Sequence, residues 1–150
     1  MGKKSLLAIM ASTVAVVGIG AGPALAAPPQ AVTFTVDEVF EPPSGVFTSD
    51  GSVVCASGTT SNNTFASAVR SPNGLIFHVR KTITCDDGSG TFTLQLQARI
   101  GFNVGDNTFG PWVVLGGTGA YENLHGQGTV VGTQLGPGVH DAYTGWLSNP

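Results

Sequence analysis

Positive charge is scarce in this chain: six Lys and Arg against nine Asp and Glu in 150 residues. Two of the six, Lys3 and Lys4, sit at the extreme N-terminus, and the other four (Arg70, Arg80, Lys81 and Arg99) are scattered. Affinity for nucleic acid grows with the number of phosphates that Lys and Arg neutralise, so an acidic chain with so few cations excludes that class. The same shortage excludes attraction to an anionic membrane surface. Catalytic signatures are missing too. There is no Gly-x-Ser-x-Gly elbow, no His-Glu-x-x-His metal helix and no Walker loop. The glycine-rich stretches fall in turns, without the following helix that a phosphate cradle uses. No catalytic residue, metal ligand set or cofactor is therefore assigned.

Long apolar runs are also lacking, with one exception. Leu6 to Ile19 is apolar, follows Lys3-Lys4 and precedes Ala24-Leu25-Ala26, whose small residues suit a signal peptidase. This reads as a secretory signal peptide over 1–26, cleaved after Ala26. An uncleaved anchor is the rival reading, since Leu6 to Ala27 is nearly long enough to span a bilayer; Gly18, Gly20, Gly22 and Pro23 interrupt it. No other segment has the length to span. Residues 27–150 then form one domain outside the cell, with no membrane association after cleavage.

Cysteines number only two, Cys55 and Cys85. In an exported chain such a pair forms a disulfide. A metal or redox pair is disfavoured by the 30-residue spacing, the lack of a second pair and three dispersed histidines. The chain-entropy model gives such a bridge about 3–4 kcal/mol.

Glycine (22 residues) and short alternating segments are plentiful. Val32 to Phe40 alternates apolar and polar residues with the period of a half-buried strand and is ended by Pro42-Pro43. Asp50-Gly51 marks a turn, Val53 to Gly58 a second strand, and Thr64 to Arg70 a third. The sequon Asn62-Asn63-Thr64 matters only in a eukaryotic secretory pathway. Leu75 to Cys85 and Thr91 to Phe102 flank Asp86-Asp87-Gly88-Ser89-Gly90 and read as a hairpin. A last strand covers Val139 to Leu147, with Tyr143 and Leu147 on one face and Trp146 on the other. Seven or eight such strands and no amphipathic helix in the mature chain predict an all-β fold. A single antiparallel barrel of about eight strands is favoured over a sandwich, because closure removes exposed strand edges.

In the hairpin, Leu75, Phe77, Val79, Ile83 and Cys85 share one face of the first arm. Phe92, Leu94, Leu96, Ala98 and Ile100 share one face of the second. The opposite faces bring together His78, Arg80, Gln95, Gln97 and Arg99, the candidate ligand-binding set. Pointing inward, they would floor a polar pocket in which Arg80 and Arg99 bind a carboxylate or enolate and His78 moves a proton. Pointing outward, they are the solvated side of a hairpin, and alternation alone does not choose. His140-Asp141 is a poor catalytic dyad, since successive strand residues face opposite ways. Glu122 and His125 read as solvated loop side chains.

The segment from Trp112 to Val131 reads as strand, tight turn, strand. Tyr121 and Leu124 are spaced to share one side of a short helical turn that plugs the fold. Within it, Gly116-Gly117-Thr118-Gly119-Ala120-Tyr121-Glu122-Asn123-Leu124-His125-Gly126-Gln127-Gly128 resembles a signature of the allene oxide cyclase and dirigent-like β-barrel superfamily, which includes small secreted bacterial proteins of unassigned role. The structural motif comprises Gly117, Thr118, Gly119, Tyr121, Leu124 and Gly126. The resemblance implies an eight-stranded antiparallel barrel, often trimeric in plants. It carries over no catalytic residue, because the motif builds a bend and a plug and holds no strong acid, base or nucleophile.

Three functions stay open at this point. The first is a secreted barrel that binds a small apolar or aromatic ligand or acts structurally outside the cell. The second is a cyclase-like or dirigent-like enzyme with a polar pocket inside the barrel. The third is an interaction module presenting an apolar face to a second copy, as a homo-oligomer, or to a cell-wall partner.

Overall fold

A computed structural model describes residues 28–41, 43–101 and 107–150, with residues 62–69 and 71 described by their backbone alone. The expected signal peptide lies outside the described residues. Eight strands follow in order: β1 Gln30–Phe40, β2 Pro43–Ser49, β3 Ser57–Ser71, β4 Gly74–Cys85, β5 Gly90–Ile100, β6 Thr108–Gly119, β7 His125–Leu135 and β8 Gly138–Ser148. Each pairs antiparallel with the next, and β8 pairs with β1, so the sheet is a closed barrel. No helix among the described residues is long and apolar enough to cross a membrane.

Period-two alternation decides which side chains enter the barrel. On β1, Val32, Phe34, Val36 and Glu38 are buried; on β5, Phe92, Leu94, Leu96 and Ala98 are buried. The β4–β5 hairpin stands where the alternation places it, with Thr84 opposite Thr91 and Leu75 opposite Ile100.

The start of the chain differs from expectation at one strand. Residues 43–49 form β2, whereas Val53 and Val54 lie in a bent connection. Only Phe47 brings a large apolar side chain inward from β2, so its pattern is faint. Pro43 is its first residue, where a missing N–H is tolerated. Val54 and Cys55 are buried because the disulfide tucks this connection against the barrel end, which mimics a strand in the sequence.

The two ends of the barrel are built differently. At one end lie the Cys55–Cys85 disulfide, the β4–β5 turn and the segment between β6 and β7. There Tyr121 N–H donates to Thr118 O at 3.2 Å and Leu124 N–H to Tyr121 O at 3.1 Å, forming a short helical turn. Gly119, at φ +62°, lets the chain leave β6 into it. Tyr121 and Leu124 are buried and plug this end. Above the plug, Phe92, Phe47, Phe34, Tyr143 and Trp112 form a continuous aromatic cluster. Phe34 stacks on Tyr143 at 4.7 Å, and Phe92 meets Tyr121 edge-on at 5.4 Å. Trp112 Nε1 donates to the backbone oxygens of Thr129 and Thr144. Its ring lies over Gly145, where a Cβ would come within 2.8 Å of Cζ2.

The opposite end carries the β1–β2, β3–β4 and β7–β8 turns and the β5–β6 connection, and no comparable aromatic layer among the described residues.

Candidate functional site

The hairpin set His78, Arg80, Gln95, Gln97 and Arg99 lies on the outside of the barrel. His78 is opposite Gln97 and Arg80 opposite Gln95, while Arg99 is opposite Ile76. Their neighbours Val79, Leu96 and Ala98 point inward and are buried. The reason is hydrophobic: the alternative would expose Phe92, Leu94 and Leu96 to water and bury two guanidinium groups. This face is therefore the outer, solvent side of the hairpin, and it does not floor an interior pocket. His78, Gln95 and Gln97 border a shallow external groove together with Pro111 and Val113. Glu122 and His125 are exposed at the plug turn. His140 faces outward and meets Asp37 across the β1–β8 seam, Nδ1 to Oδ1 at 2.6 Å. Asp141 faces inward.

The interior does hold charge, from other residues. Lys81 is 1% exposed and sits at mid-barrel on β4. Its Nζ lies 3.0 Å from Glu38 Oε1, 2.9 Å from Asp141 Oδ2 and 3.1 Å from Tyr143 OH. An ammonium has three N–H donors, so these three acceptors saturate it. Tyr143 OH in turn donates to Asp141 Oδ2 at 3.3 Å, and Thr60 Oγ1 donates to Glu38 Oε1 at 3.3 Å. Burial by itself pushes the Lys81 ammonium towards deprotonation, but the Tyr143 oxygen and the carboxylates of Asp141 and Glu38 outweigh it and hold Lys81 protonated well above its ordinary 10.5. Burial likewise raises the Tyr143 phenol above its ordinary 10.0, against the pull of Lys81. Lys81 is thus a fixed cation and Tyr143 a fixed neutral hydroxyl; neither is a nucleophile or base at neutral pH.

This cluster floors a cavity of about 450 Å³ that opens at the end of the barrel away from the plug. Its wall is mostly apolar, with Phe77, Val79, Leu96, Ala98 and Val130 among the lining residues. Phe40, Pro43 and Val139 line it nearer the mouth, and Glu38, Lys81 and Asp141 supply charge at depth. The volume lies within the range of small-molecule sites. Among the described residues no three His, Cys, Asp or Glu side chains gather as a metal site.

Parity was the signal for this site. Lys81 falls between Val79 and Ile83 on the apolar face of β4, Glu38 follows Phe34 and Val36, and Asp141 precedes Tyr143. A charged residue in an apolar register is expected inside, and paired. No family model matches the chain, and no curated protein matches it.

Proposed function

We propose that this protein is a secreted barrel that binds a small, largely apolar molecule in the cavity at its open end. One observation carries the reading. A mostly apolar, ligand-sized cavity ends on a compact polar cluster, the usual composition of a binding pocket: apolar walls for affinity and a few fixed polar groups for orientation. Export is supported by the signal-like N-terminal sequence and by the Cys55–Cys85 disulfide, which fits an oxidising compartment. Membership of the allene oxide cyclase and dirigent-like superfamily is part of this proposal. It is supported by the Gly116–Gly128 motif and by the count of eight antiparallel strands.

Native mass spectrometry of the mature protein, purified unreduced from its host's medium, tests the reading. The expected spectrum shows the chain cleaved after Ala26 and a discrete extra mass that leaves on denaturation. An empty barrel that also fails to take up any small apolar amphiphile would overturn it.

A cyclase-like or dirigent-like enzyme is the second reading, favoured by ionisable groups within the cavity. With Lys81 and Tyr143 fixed in their protonated forms, an enzyme here would act by holding and polarising its substrate. Conversion of a retained compound on incubation, lost in Asp141→Asn, distinguishes it from binding alone.

A further inference from the structure

The polar floor of the cavity is unevenly satisfied, and the imbalance identifies what it recognises. All three Lys81 protons are used inside the cluster, so Lys81 has none to offer a ligand carboxylate. Tyr143 spends its proton on Asp141 Oδ2. That same oxygen accepts from Lys81, whereas Oδ1 of Asp141 accepts no hydrogen bond from the described residues. Asp141 is 6% exposed, yet no buried side-chain polar atom among the described residues lacks a partner. Oδ1 therefore faces the cavity, where Asp141 is a lining residue.

A second acceptor stands beside it. Thr108 Oγ1 donates to Gly132 O at 3.4 Å, which leaves its lone pairs available. A Cβ on Gly132 would fall 2.5 Å from Asp141 Oδ1 and close against Thr108 Oγ1, so only a glycine lets these two oxygens stand side by side in the cavity lining. Among the described residues the cluster also sets one ammonium against two carboxyl groups, a formal excess of one negative charge in an apolar surrounding. Such an excess favours a cationic guest.

We propose that the cavity selects an amphiphilic amine, whose ammonium group donates from the cavity to Asp141 Oδ1 and Thr108 Oγ1 while its hydrocarbon body lies along Phe77, Val79 and Leu96. The proposal rests on the ligand-binding reading above and adds the head group. An alcohol offers one neutral donor and binds more weakly. A carboxylate meets an acceptor-lined floor and is rejected.

Three probes of equal chain length decide the matter: 1-octylamine, 1-octanol and octanoate, titrated calorimetrically into the mature disulfide-bonded protein at neutral pH. A hydrogen bond to a charged group contributes about 1.5–3 kcal/mol, so the amine should bind about tenfold or more tighter than the alcohol. Octanoate should bind weakest. Asp141→Asn and Thr108→Val should each erode the amine's advantage and leave octanol affinity within about twofold. Thr108 lies outside the Lys81 network, so its variant keeps the fold should Asp141→Asn perturb it; circular dichroism checks both. Octanol or octanoate binding as tightly as the amine overturns the head-group assignment but leaves the ligand-binding reading standing. Equal loss of amine and alcohol in both variants also overturns the assignment. Failure of all three probes to bind overturns both.

Discussion

Lys81 is the residue on which the interior turns, and its energetics are those of a buried ion pair rather than a surface one. Removing one partner from such a network strands the others in low dielectric and typically costs about 3–5 kcal/mol. Lys81→Met should cost that much by urea denaturation at pH 7. Replacing Lys81, Glu38 and Asp141 together by apolar residues of similar volume should recover most of the loss, because the desolvation penalty goes with the charges. The pH dependence has a definite sign. Both Lys81 and Tyr143 hold their protons more tightly folded than unfolded, against ordinary values of 10.5 and 10.0. Their contribution is complete below pH 10 and declines as the unfolded chain begins to shed protons that the native state retains. Melting temperature should therefore fall as pH rises above about 10, because the native state retains protons that the unfolded chain sheds. The Lys81→Met variant should show a shallower fall over the same interval.

At the scale of elements, the plug between β6 and β7 closes one end of the barrel with two side chains. Tyr121 packs its ring on Phe92, and its hydroxyl shares a 2.9 Å hydrogen bond with Ser89. Leu124 is 1% exposed. Leu124→Ala should cost about 2–5 kcal/mol as a core truncation. Because the plug lies at the opposite end from the cavity mouth, ligand affinity in that variant should stay within about threefold at temperatures where it remains folded, as read by calorimetry. Much of this architecture was legible in the sequence. The spacing of Tyr121 and Leu124 indicated the plug, and alternation on β1, β4, β5 and β8 sorted each strand into two faces without saying which of them turns inward. What alternation did not supply was the meeting of Glu38, Lys81 and Asp141. They come from β1, β4 and β8, and only closure of the sheet sets them around one point. Strand β2 escaped notice because Phe47 alone carries its inward apolar signal, while the buried Val54 and Cys55 gave a strand-like signal to a connection held by the disulfide.

For the molecule as a whole, the stabilising features are concentrated at one end. The disulfide, the plug and the aromatic cluster lie there, and the cavity opens at the other. Reduction of Cys55–Cys85 should lower stability by about 3–4 kcal/mol on the chain-entropy model. It should leave the cavity's ligand affinity nearly unchanged in whatever fraction stays folded. Thermal melts with and without reductant, paired with ligand titration below the transition, check both halves of that statement.

The seam between β1 and β8 has a kinetic meaning as well. Seven of the eight ladders join strands that are consecutive in the chain, and each can zip from its own turn. The eighth joins Asp37 to His140, 103 positions apart. Loop-closure entropy makes contacts of such separation slow to form. Until β8 is in place, the barrel is an open sheet with two bare edges and an unsealed interior. The eight strands of the closed barrel offer no edge on which another chain could add a strand, but every newly made copy passes through a state that has two.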